Sequence, residues 1–123
     1  MPFSERDWTH LRRVHAIALE RFSAQVVDEA ATLVHDDSRS AHERYLELFQ
    51  LVHERNAAMA TAFDDLRRST GLRRLSAMVG LDVLTEEDLA GFQPEVQDAA
   101  RELRQIFAPR RRPRPAPRRR DAE

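Results

Sequence analysis

A chain of 123 residues with no cysteine has room for one modest core, and it excludes disulfide frameworks, zinc ribbons, thiol catalysis and thiolate-held iron–sulfur clusters. Its formal net charge of −1 conceals an asymmetry, because residues 1–108 carry 13 arginines against 19 acids while residues 109–123 carry 7 arginines against 2 acids. All 20 basic residues are arginine, as codon usage in a GC-rich bacterial genome would produce, so the absence of lysine carries no functional weight.

The first residues, MPFSERDWTHLRRVH, are charged from the fourth position on and contain no apolar h-region. No window approaches the roughly 18 uninterrupted apolar residues of a spanning helix. The expectation is a cytoplasmic protein with no membrane association.

Glycine occurs only at 71, 80 and 91, and no proline lies between Pro2 and Pro94, so two long stretches lack a helix breaker. Strand-like alternation is nowhere sustained. A first helix is expected to start at Ser4, with Asp7 three residues on approximating a capping box, and to run to about His35. Its apolar stripe is Trp8, Leu11, Ala18, Leu19, Phe22, Val26 and Leu33, spaced by threes, fours and their sums. The polar segment DDSRS at 36–40 is short, and Ser40 with Glu43 forms a full capping box, which together predict an antiparallel helical hairpin.

The second helix is expected from Ala41 to about Ser69. Tyr45, Phe49, Val52, Asn56, Met59, Phe63 and Leu66 recur at alternating spacings of four and three, a seam of the coiled-coil kind. Glu43, Glu47, Gln50 and Glu54 fall on the other side and are expected to face water. Beyond Gly71 the elements shorten: LRRLSAMVG reads as a two-turn helix closed by Gly80, Thr85 with Asp88 caps a brief turn ending at Gly91, and Pro94 opens PEVQDAARELRQIF. From Ala108 the chain, APRRRPRPAPRRRDAE, has no large apolar residue, so a disordered tail is expected over 109–123 beyond a helical domain at 1–108.

Several patterns invite a chemical reading. The triplet His-Glu-Arg occurs at 42–44 and again at 53–55. Eleven helical residues separate the two histidines by roughly 16 Å along the axis, whereas two ligands of one zinc ion must lie a single turn apart. Leu46 and Ala57 stand where the second histidine of His-Glu-x-x-His would be needed, so the triplet reads as a repeating helix surface. The Glu-x-x-His pattern of di-iron bundles is approached only by Asp7 and His10. Asp36/Asp37, Asp64/Asp65 and Glu86–Asp88 lie at helix ends or on polar faces, and neither a Gly-x-Ser-x-Gly elbow nor a glycine-rich phosphate loop is present. A helix-turn-helix over 72–107 would present Glu86, Glu87 and Asp88 to phosphates, which repel them. No metal, cofactor or catalytic residue is expected.

His15 lies within the apolar stripe of the first helix, as a core or interface residue that would make association sensitive to pH. Asn56 interrupts the second helix's seam, where such a residue either sets register or is simply exposed. Arg67, Arg68, Arg73 and Arg74 form a cluster at a helix C-terminus, where salt-bridged cations suit the dipole, with a small anion-binding patch as the alternative. The most pointed feature is Arg110, Arg111, Arg112, Arg114, Arg118, Arg119 and Arg120, whose guanidinium groups match phosphates. No aromatic residue is interleaved, so nonspecific and salt-sensitive nucleic-acid binding is expected, without sequence readout.

The apolar surface of the two helices, with Val14, Ile17, Leu48 and Leu51 besides the narrow seams, exceeds what one hairpin and three short helices cover. A four-helix bundle formed with a second copy or a helical protein partner would cover it, with Tyr45, Phe49, Val52, Asn56, Met59, Phe63 and His15 at the partner interface. The expected function is a noncatalytic helical interaction or regulatory protein tethered to nucleic acid through its tail. The alternatives are an adaptor whose tail docks on acidic protein surface or only solubilises, and, more remotely, an enzyme with a site at a dimer interface.

Overall fold

The computed structural model describes residues 3–107, and among them there is no strand. Five α-helices follow in order: α1 Glu5–Val34, α2 Ala41–Phe63, α3 Gly71–Gly80, α4 Glu86–Ala90 and α5 Pro94–Phe107, with a 3-10 turn at Arg68–Thr70. The segment expected to be a disordered tail, 109–123, lies outside the described residues.

Local chemistry starts three of these helices. Ser4 accepts from the Asp7 amide at 3.0 Å while Asp7 Oδ2 receives the Ser4 hydroxyl at 2.7 Å and its amide at 3.2 Å. Ser40 with Glu43, and Thr85 with Asp88, complete the same reciprocal box at α2 and α4. Each box pairs amides that a first helical turn otherwise leaves without partners.

Helix α2 stops at Phe63, six residues short of the expected end at Ser69. Two of its last carbonyls find side-chain partners: Phe63 O accepts from His15 Nε2 at 2.9 Å and Thr61 O from Arg74 Nη1 at 2.8 Å. Asp64 then turns extended and Asp65 enters the left-handed region at φ 55°. Thr70 and Arg67 close this turn by donating to the Asp65 carbonyl and carboxylate. At the other side of the turn, Gly71 lies so near Phe3 that a Cβ there would stand 3.0 Å from its ring.

Contacts between α1 and α2 run in opposite chain directions: Val34 O with Arg44, Glu29 with Arg55, His15 with Phe63 O. The core gathers at the base of this hairpin. Leu11, Ala18 and Phe22 of α1 meet Ala58, Ala62 and Phe63 of α2, and α3 and α5 close over them with Leu75, Met78, Val96 and Ala100. Burial of the leucine, phenylalanine, methionine and valine side chains among them, at roughly 1.5–3 kcal/mol each, is the main stabilising term. Three polar ties fix the C-terminal helices to α1: Asp7 Oδ1 accepts from the Gln93 amide at 3.0 Å, His10 Nε2 donates to Asp88 O at 2.7 Å, and Arg21 donates to Asp88 Oδ2 at 2.6 Å.

Candidate functional site

Toward the 35–40 loop, α2 is arranged the opposite way from an ordinary surface helix. Its five charged residues, Glu43, Arg44, Glu47, Glu54 and Arg55, fall within a sector of about 120° on the α1 side, at 100° per residue. Arg55 is 7% exposed and meets Glu29 of α1 at 2.8 Å; Arg39, 9% exposed, pairs with Glu47 and, at 3.4 Å, with Asp36; Arg44 donates to Val34 O at 2.6 Å. Glu43, Glu47 and Glu54 are half-buried and turned toward α1 and its loop instead of facing water, whereas Gln50, expected on the same side, is exposed. The charges are tolerated there because each of these arginines finds a carboxylate or carbonyl across the hairpin.

The opposite side of α2 carries no charged residue at all. From His42 through Tyr45, Leu46, Phe49, Val52 and His53 to Asn56, every outward residue is exposed. Tyr45 is 64% exposed and Phe49 60%, values that leave most of each ring outside. The rings organise one another: His42 stacks on Tyr45 at 6.3 Å between centroids, and Phe49 on His53 at 6.1 Å with the planes 8° apart. Contiguous apolar surface of this kind is seldom left exposed on a folded monomer.

The expected interface residues separate into two groups. Tyr45, Phe49, Val52 and Asn56 share the outer face, with half-buried Met59 at its border. Phe63 is in the core, and half-buried His15 lies edge-on to it at 5.4 Å while donating to its carbonyl. The stripe that packs toward α1 is instead Arg44, Leu48, Leu51, Arg55, Ala58 and Ala62, one position away from the seam read in the sequence. Leu46 and the two histidines of the repeated triplet also belong to the outer face. A count of charged residues by helical sector, rather than of apolar ones, would have shown them there.

Other candidate groups have structural partners. In the arginine cluster, Arg67 pairs with Asp65 at 2.7 Å, Arg68 with Glu5 at 2.6 Å, Arg74 holds Thr61 O, and Arg73 lies 5.4 Å over the Phe107 ring. Of the acidic groups, Asp36 organises the interhelical turn by accepting from the Ser38 hydroxyl and amide, which hold its carboxyl below the usual value of 3.8. Burial on its own raises the Asp88 carboxyl, but hydrogen bonds from Thr85 and Arg21, with the Arg21 charge, outweigh it and leave Asp88 below 3.8. An open cleft of about 340 Å³ lies between Gln25, Asp28 and Glu29 of α1 and Leu81 and Asp82. Among the described residues no three histidine or acidic side chains are placed to hold a metal ion, and no helix is long and apolar enough to cross a membrane. The seven arginines from Arg110 to Arg120 lie outside the described residues.

Comparison with protein-family models, with curated proteins and with solved structures returned no match to this chain.

Proposed function

We propose that this chain is a noncatalytic helical interaction protein. Its folded body docks a helical partner on the outer face of α2, and its arginine-rich segment holds nucleic acid through the phosphates without reading sequence. The observation that carries the first half is the inverted α2: charges paired toward α1, aromatic rings left in water. A helix gains little by exposing Tyr45, Phe49, Leu46 and Val52 unless another apolar surface covers them. The second half rests on Arg110, Arg111, Arg112, Arg114, Arg118, Arg119 and Arg120, seven guanidinium groups within eleven residues. With no aromatic among them, phosphate contact is the chemistry they offer. The setting proposed for both activities is the cytoplasm.

The tether is tested by fluorescence-anisotropy titration of duplex DNA and single-stranded RNA at several salt concentrations. Three proteins are compared: the full chain, the full chain with those seven arginines replaced by glutamine, and the chain stopped at Ala108. The full chain binds, the other two do not, and the logarithm of its affinity for B-DNA falls with the logarithm of salt at a slope of at most about 6. Equal binding by all three, or none by any at low salt, overturns the tether. A second reading, in which the arginines dock on acidic protein surface, is favoured by the acids lining the open cleft, Asp28, Glu29 and Asp82. In that case the chain stopped at Ala108 gains a binding site for an added Arg110–Arg120 peptide, competed by salt and not by DNA.

A further inference from the structure

We infer that the helical partner seated on the outer face of α2 is a second copy of this chain, paired antiparallel about a two-fold axis between Phe49 and Val52. This rests on the reading of that face as a docking surface.

The outer sector holds no Asp, Glu or Arg, so bringing two copies together opposes no like charges, and it offers a charged foreign helix no counter-charge. Its spacing is also the same read in either direction: Tyr45, Phe49, Val52 and Asn56 follow at four, three and four residues. In an antiparallel helix pair each a-type position faces a d-type position of the other helix. Phe49 then lies over Val52 of the second copy and Tyr45 over Asn56, twice each by symmetry, as an isologous interface requires. Each layer sets a large ring against a smaller side chain, and the Tyr45 hydroxyl and Asn56 amide supply a donor and an acceptor to each other.

The chain's own packing selects the direction. Met59 packs against the core and Phe63 is inside it, so the open part of the stripe ends near Asn56. A parallel pair would bring both hairpin bases to the same level, where the stripe is already occupied. An antiparallel pair overlaps the two open stretches and sets each base beside the other copy's 35–40 loop.

The size is sufficient for a reversible dimer. An aromatic side chain presents roughly 200 Å², so Tyr45 and Phe49 at 64% and 60% exposure leave on the order of 250 Å² outside per copy. With Leu46, Val52 and the two histidines added on both copies, complete coverage brings the total to approximately 1,000 Å², the lower limit for specific interfaces. Dissociation in the micromolar range is expected.

Sedimentation equilibrium of the full chain from roughly 1 µM to 1 mM spans that range. The wild type is expected to pass from monomer to dimer, and Phe49→Asp and Val52→Asp to weaken the dimer at least about 100-fold, with helical circular dichroism unchanged and Phe49→Leu retaining association. Because the chain lacks cysteine, orientation is read by oxidising an equimolar mixture of Tyr45→Cys and Asn56→Cys chains. The mixed disulfide supports the antiparallel pair, and homodisulfides in its place overturn it. A dimer indifferent to Phe49→Asp, or a chain monomeric throughout, also overturns the inference. A monomer that binds the apolar dye ANS in a manner abolished by Phe49→Asp leaves the docking face standing for a different helical protein. A monomer that binds none removes the docking face as well.

Discussion

Near its base the α1–α2 hairpin is closed by Phe22, Ala58, Ala62 and Phe63 under α3 and α5, whereas toward the 35–40 loop, beside the buried Leu33 and Leu51, the two helices meet through Glu29–Arg55 and Val34 O–Arg44, and the loop's Arg39 pairs with Glu47. The base holds its large apolar groups inside, and its stability is its own. The loop end holds charges inside and rings outside. Partly shielded ion pairs repay little beyond their desolvation cost, so they fix direction and register more than they stabilise. The apolar surface that would otherwise cement this half remains available to another chain.

Substitution at the base is expected to show the largest effect. Phe22 is 1% exposed and packs 5.9 Å from the Phe63 ring, so Phe22→Ala should cost about 3–5 kcal/mol in urea denaturation. Phe49→Ala, at the other end, should change the stability of the monomer by less than about 0.5 kcal/mol. Equal losses at both positions would remove the distinction between the halves.

The inner charges are probed next. Arg55→Ala leaves the partly shielded Glu29 carboxylate without its partner and should cost about 2–3 kcal/mol, below the full range for buried pairs because Glu29 retains some water contact. Replacing both, as Arg55→Met with Glu29→Leu, should bring stability back to within about 1 kcal/mol of the wild type. A double variant as unstable as the single one would show that the pair contributes more than register.

Gly91→Ala tests how closely α1 approaches the C-terminal helices. An added Cβ would enter the His10 ring, which holds the Asp88 carbonyl, so a loss of about 1–3 kcal/mol is expected, with faster hydrogen exchange in α4.

Among the losses, the smallest comes from the acid-dependent Asp88 tie. Its folded pKa lies below 3.8, so the tie contributes fully above that value and is lost as pH falls through the folded pKa. Asp88→Asn should cost about 1 kcal/mol at neutral pH and flatten the decline of stability below pH 4. An unchanged acid limb in this variant would mean that Asp88 is not the group responsible.

Much of the helical framework was legible because its signals are local. Ser4, Ser40 and Thr85 each reach a carboxylate three residues on, and Pro94 opens the last helix without reference to anything distant. The end of α2 was not legible in this way. Leu66, Arg67 and Arg68 continue a helix acceptably by propensity, and what ends it is His15 and Arg74 arriving at its last carbonyls from α1 and α3. The inner stripe of α2 was obscured for a related reason. Two sets of residues spaced by threes and fours coexist on that helix, and the one with Tyr45, Phe49 and Val52 is the more apolar. The other contains Arg44 and Arg55, which read as solvent-facing until Val34 and Glu29 are placed opposite them.

The sequence by itself determined an all-α chain, the helix starts, a short polar connection between the first two helices, and an arginine-rich end chemically unlike the body. Each depends on interactions within a few residues or on composition. Which face of α2 turns inward was decided only by tertiary structure. Periodicity defines two candidate faces, but only the position of Glu29, Val34 and Arg39 across the hairpin makes interior sites for charge, and so leaves the aromatic face outside.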